Sequence, residues 1–204
     1  MPEQAATGFG GLLRLLRAEA GLTQEELAGA LGHFTDLRDA VAVRGPSRAL
    51  ADGLTGRATI LLNLGRAAEA SGEAQQSLSV AREVGYPVGE ALALFTLSRI
   101  AGATGNPRGA VRLARQAGQI PAGIPGSMAR LCSSQLIFAL IDAGDLATAE
   151  DVCATALAQS REAGDVWNLA GLLPQMVMLD LWEGRAAQAA ACLREVFQLA
   201  AGGR

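Results

Sequence analysis

Apolar positions along this chain recur with the period of a helix, in eight successive runs. Between positions 48 and 64, Leu50, Leu54, Ala58, Leu61 and Leu62 fall at spacings of three, four and one. That is the stripe of a helix burying one face, and Ser47 stands where an N-cap is expected. The same reading predicts helices over 67–84, 89–103, 107–116, 127–143, 146–162, 166–183 and 186–200, with Pro107 at a tolerated first-turn position. Gly85 and Pro87 close the second run, and Ile120-Pro121-Ala122-Gly123-Ile124-Pro125-Gly126 links the fourth run to the fifth. Pro174 falls inside the seventh run, where a missing backbone N–H is expected to kink or split the helix.

The runs are paired by a repeat. Gly65, Gly105, Gly144 and Gly184 stand 40, 39 and 40 residues apart, and each is followed five residues later by an alanine: Ala70, Ala110, Ala149 and Ala189. A turn glycine with a small residue one helical turn into the next element marks a helical hairpin. A period in this range marks a stack of them. The expectation is an all-α solenoid of four antiparallel hairpins in a right-handed superhelix without strands, the four alanines nearly fully buried where helices approach closely.

At these residues a family resemblance enters. Gly144-Asp145-Leu146-Ala147-Thr148-Ala149, and more loosely Gly105-Asn106-Pro107-Arg108-Gly109-Ala110, resembles the turn and second-helix start of a tetratricopeptide repeat, here of a long 40-residue kind. The large aromatic expected early in the second helix is replaced by Ala67, Pro107, Leu146 and Ala186. The stretches Arg44-Gly45-Pro46-Ser47-Arg48-Ala49-Leu50-Ala51-Asp52 and Ala122-Gly123-Ile124-Pro125-Gly126 resemble the repeat region of actinobacterial LuxR-type regulators, in which an ATPase precedes the repeats. No G-x-x-x-x-G-K-[ST] sequence is present here.

The opening has another character, which divides the chain into a helix-turn-helix-like segment, 1–32, and a repeat domain, 33–204. Phe9-Gly10-Gly11-Leu12-Leu13-Arg14-Leu15-Leu16-Arg17 followed by Gly21-Leu22-Thr23-Gln24-Glu25-Glu26-Leu27-Ala28 resembles the first two helices of a phage-repressor-type (XRE) helix-turn-helix domain. Thr23 and Glu26 form a capping-box pattern. The resemblance makes Gln24 a DNA-backbone contact candidate. A recognition helix should follow, but Leu31 to Val41 resembles repeat sequence instead, leaving Thr35–Val43 as at most an irregular one. Residues 1–46 hold four arginines against six acidic groups, a net charge of −2, where a DNA-binding module carries a basic face.

Composition narrows the chemistry. Half of the 204 residues are hydrophobic and only 4% aromatic, which suits closely packed small-residue helices. All 17 basic residues are arginines, so neither a Schiff-base nor a P-loop lysine exists, and the net charge of −3 offers no general attraction to nucleic acid or anionic lipid. Cys132, Cys153 and Cys192 are widely spaced and read as small buried thiols; His33, the single histidine, lacks neighbouring partners for a triad or metal cluster. Asp142 with Asp145, and Glu150 with Asp151, read as helix-terminal carboxylates rather than a catalytic pair. No enzyme, cofactor, metal or membrane span is expected, and the cytoplasm is the expected location.

The expected function is a protein-interaction scaffold of a transcriptional-regulator lineage whose groove binds a protein or peptide. The alternative is a DNA-binding helix-turn-helix regulator with a repeat domain for sensing or oligomerisation. A truncated or rearranged regulator has the same sequence signature. In tetratricopeptide proteins the first helix of each hairpin lines the concave side. Counted back from the turn glycines, this implies Thr59, Leu62, Phe95, Arg99, Ser134, Phe138, Ile141, Met178 and Leu181, with Phe95, Phe138 and Met178 as an apolar stripe. Finally, Leu193, Val196, Phe197 and Leu199 near the C-terminal end form a stripe expected to support a homodimer through residues 186–201.

Overall fold

A computed structural model describes residues 24–120 and 126–202. These form nine α-helices and no strand: α1 (Gln24–Ala42), α2 (Arg48–Asn63), α3 (Ala67–Glu83), α4 (Pro87–Ala103), α5 (Pro107–Gly118), α6 (Gly126–Asp142), α7 (Leu146–Glu162), α8 (Val166–Trp182) and α9 (Ala186–Gly202). The fold is an all-α helical repeat, with α2/α3, α4/α5, α6/α7 and α8/α9 as its hairpins. Segment 1–23, including the Thr23 cap, lies outside the described residues, as do the linker residues 121–125.

The 40-residue spacing has a simple local origin. Helices of mostly 17 residues alternate with three-residue turns. Each turn glycine of the repeat takes a positive φ, between 74° and 80°. Its N–H bonds back to the third residue before it, and the next residue's N–H to the fifth before itself, as in Arg66 to Leu61 (2.9 Å) and Asp145 to Leu140 (3.0 Å). This is the Schellman closure, and it needs the left-handed residue that glycine supplies without strain. The second helices then start on side-chain caps in the middle hairpins: Asn106 accepts from the Gly109 N–H at 2.9 Å, Asp145 from that of Thr148 at 3.4 Å.

The alanines do what their spacing implies. Ala70, Ala110, Ala149 and Ala189 are all buried. Around them, apolar clusters join neighbouring hairpins: Ala58, Leu61, Ala70 and Ala74 with Leu97 and Ile100, and Ile137, Leu140, Ala149 and Cys153 with Leu169, Leu172 and Leu173. Buried hydroxyls sew the helices together, since Ser77 donates to the Ala51 carbonyl at 2.8 Å and Ser98 to that of Ala110 at 2.9 Å, while Gln135 of α6 donates to Ser98 at 3.1 Å.

Two expectations need correction. Pro174 does not split its helix: α8 is continuous from Val166 to Trp182. Pro174 is exposed, a position at which water supplies the partner that the ladder lacks. The break after residue 31 that a helix-turn-helix requires is also absent. Helix α1 runs unbroken from Gln24 to Ala42, through the boundary placed at 32/33. It lies on the first hairpin: Phe34 sits over Gly56, where a Cβ has no room, Val41 packs against the Leu50 and Leu54 cluster, and Arg57 donates to Thr35. Thr35–Ala42 is therefore the continuing, docked part of α1 rather than a separate recognition helix, and Val43 lies in the exposed turn beyond it.

Candidate interaction surface

Which side of the stack is concave follows from which helices touch. The first helices of successive hairpins, α2, α4, α6 and α8, contact one another in sequence, whereas the second helices make no comparable contact among the described residues. A stack whose first helices crowd together while its second helices splay is curved toward the first helices. Positions on α2, α4, α6 and α8 that face neither the partner helix nor the next hairpin line that inner side.

Register separates the candidate residues into two groups. The positions six residues before each turn glycine are Thr59, Arg99, Phe138 and Met178, all half-buried, and Phe95 and Ser134 one helical turn earlier are half-buried as well. They share a register along the first helices, the one that the tetratricopeptide resemblance makes a groove. The positions three before the glycine behave differently. Leu62 and Ile141 are buried within the clusters that join their hairpins to the next, while Leu181 is exposed. That position is the stacking seam between hairpins, so Leu62 and Ile141 present almost no surface to a partner. Gln24 opens α1, and its side chain lies outside the description.

The inner side changes in character from end to end. On α2 it carries Asp52, Thr59 and Asn63; on α4, Leu92, Phe95 and Arg99; on α6, Leu131, Ser134, Phe138 and Asp142; on α8, Trp167, Pro174, Met178 and Trp182. The two tryptophans are 85% and 57% exposed, which is unusual for the largest apolar side chain. Helix α8 holds one charged residue, Asp180, and that is buried and accepts from Arg185 at 2.9 Å. Toward the middle, the Arg99 guanidinium lies 5.8 Å from the centre of the Phe95 ring, a cation–π distance that presents a flat, positively charged platform. Desolvation by partial burial pushes the Asp142 carboxyl above the usual carboxylate range. Counting only three, six and ten residues back from the turn glycines misses Trp167, Trp182, Leu92 and Leu131. Extending the same count to two, thirteen and seventeen reaches all four.

Elsewhere the chemistry is structural. Among the described residues no group of three or more histidine, cysteine, aspartate and glutamate side chains is placed to hold a metal ion. All three cysteines are free thiols; Cys132 and Cys153 are buried, Cys192 half-buried. Burial, with Cys192 and Asp180 nearby, pushes the Cys153 thiol up to about 12, and its Sγ lies 3.7 Å from the Leu172 carbonyl oxygen. No helix of the described residues is long and apolar enough to cross a membrane. At the C-terminal end, Val196 and Leu199 pack onto the α7–α8 cluster, whereas Leu193 and Phe197 point outward and are exposed.

Comparison with known proteins supports the fold. No family model matches the chain, and no curated protein does. Among solved structures, a point variant of a candidate kinesin light chain from Podosopora anserina, with nearly identical TPR-like repeats, superposes with a TM-score of 0.68 at 15% identity, over 95% of this chain and 93% of that one. A second structure of that protein, without the substitution, gives 0.67 at 15% identity, over 96% and 94%. The likeness is one of fold: this chain is built as a tetratricopeptide-like helical repeat, the class its turn glycines and alanines indicate.

Proposed function

We propose that this chain is a non-enzymatic, cytoplasmic scaffold that binds a segment of a protein partner along the inner side of α2, α4, α6 and α8. The observation that carries the reading is the graded inner surface, polar on α2 and wholly apolar on α8, with Trp167 and Trp182 left exposed. A partner segment with aromatic or aliphatic anchors at one end and polar residues at the other matches that gradient. The concave face of a repeat array is a natural place for such a segment, because its surface is extended and its backbone rigid. The Gly-Pro stretches keep the regulator lineage as the context of this scaffold. The DNA-binding alternative is not favoured, since α1 has no turn and residues 1–46 are net acidic.

The test is a random-sequence peptide display library panned on the full chain, followed by titration of synthesised winners against variants. Enriched peptides are expected to carry two or more large apolar residues and to lose at least about tenfold in affinity on Phe138→Ala or Trp167→Ala, the cost typical of a modest hot spot. Arg112→Ala on α5 should leave affinity unchanged. Winners indifferent to Phe138 and Trp167 would remove the groove reading.

A further inference from the structure

Beyond the inner groove, we infer a second interaction surface on the outer side: the arginine stripe of α5 binds a short acidic segment of a partner protein. Helix α5 carries Arg108, Arg112 and Arg115 and no acidic residue. At about 100° per residue the three fall within an arc of about 60° and span roughly 10 Å along the axis. They stand opposite the face that buries Ala110, Ala114 and Ala117, and all three are exposed. Elsewhere the arginines are mostly neutralised within the fold, since seven others each pair with a carboxylate. Among the described residues no carboxylate pairs with Arg108, Arg112 or Arg115.

Charge and shape select the occupant. The second helices on either side, α3 and α7, offer no free cation, because Arg82 pairs with Glu90 and Arg161 with Glu195. They do expose carboxylates without partners among the described residues: Glu83 on α3, Asp151 and Glu162 on α7. The basic stripe is thus one helix wide and bordered by negative charge. A nucleic-acid duplex or an anionic membrane spreads its phosphates over α3 and α7 as well and is repelled there. A single acidic chain fits within the stripe. Helix α5 also has 12 residues where α3 and α7 have 17. Beside its last turn lies a surface notch of about 280 Å³, with Ala114, Cys132 and Leu136 as apolar lining and Arg115 and Gly118 next to them. The matching segment therefore carries carboxylates spread over roughly 10 Å, the length of the stripe, and one aliphatic side chain at the Arg115 end.

The probe is a display library of peptides with several aspartates and glutamates among random residues, panned on the full chain at about 50 mM salt, where screening is weak. Winners are synthesised and titrated by fluorescence anisotropy. They are expected to weaken at least about tenfold on Arg112→Glu with Arg115→Glu, and to weaken again as salt rises to about 300 mM. Gly118→Leu, which places a side chain in the notch, should weaken them at least about threefold. These positions are exposed, so the variants keep the helical circular dichroism spectrum of the parent. Phe138→Ala should leave acidic winners unchanged, just as Arg112→Ala leaves groove peptides unchanged, which separates the two surfaces. A library that yields no acidic winner overturns the proposal, as do winners indifferent to the arginine reversals or to Gly118→Leu. So does a polythymidine oligonucleotide or a phosphatidylserine vesicle bound as tightly as the winners, since the stripe then reads any polyanion.

Discussion

Replacing a glycine by alanine at two positions should have opposite effects, and the difference tests the turn geometry that sets the repeat. Gly144 joins α6 to α7 with φ at 76°, and a Cβ built there meets nothing within 4 Å. Gly144→Ala therefore costs only the left-handed backbone penalty, about 1–2 kcal/mol. Gly72 lies inside α3, exposed, with nothing within 4 Å of a Cβ and no positive φ. Gly72→Ala there recovers the helix propensity that glycine lacks, about 0.8–1 kcal/mol of stabilisation. The two variants should differ by about 2–3 kcal/mol, and at roughly 2–4 °C per kcal/mol for a domain of this size the melting temperatures should part by about 4–12 °C. Urea unfolding followed by circular dichroism gives the same difference as a shift in midpoint, provided the slope m stays constant. Gly144→Asn should recover part of the loss, because asparagine tolerates the left-handed region. Equal shifts, or a Gly144→Ala protein as stable as the parent, would refute the reasoning.

Three further outcomes follow from the packing. Ala149→Leu overpacks the contact of α7 with α6 and should lower stability by about 1–3 kcal/mol in the same urea assay; an unchanged midpoint would mean that the register is wrong. Arg57 and Glu73 bond at 2.9 Å with only 13% and 14% of their side chains exposed, so an Arg57→Ala, Glu73→Ala double-mutant cycle should give a coupling above the ~1 kcal/mol ceiling of exposed pairs. The Cys153 thiol, pushed up to about 12 against a reference of 9.0, should resist a disulfide reagent at pH 8 until the protein unfolds, with Cys192 reacting first. Above pH 9 the unfolded thiol ionises while the folded one does not. The unfolded state then binds fewer protons, and Cys153 makes stability fall as the pH rises toward 12.

Much of this fold is legible in the sequence because its two signals are local. A glycine that must take positive φ and an alanine that must fit a close contact leave marks at fixed spacing, and the predicted bounds of α7 match from its first residue to its last. Less is legible where a feature depends on what lies opposite. Pro87 reads as part of a turn yet begins α4, since a proline at the first position of a helix and one just after it look alike in sequence. The residues from Gln24 to Ala28 read as part of a DNA-binding motif, and Leu31 to Val41 as repeat sequence, because their capping and apolar pattern are those of any amphipathic helix; only the neighbouring first hairpin, with Gly56 open to Phe34, makes Gln24–Ala42 one docked element. The groove residues are half legible for a similar reason. Leu62, Ile141 and Leu181 share one sequence position, and whether that position is seam or surface depends on the hairpin that follows.

The central claim, that partners bind along the inner side, is tested most directly by site-specific photocrosslinking with a display-selected peptide. A photoreactive amino acid placed at Phe138 or Trp182 should capture the peptide, whereas one at Gln76, Arg112 or Thr155 on the second helices should not. Capture at the second-helix positions, with Phe138 and Trp182 silent, would contradict the account.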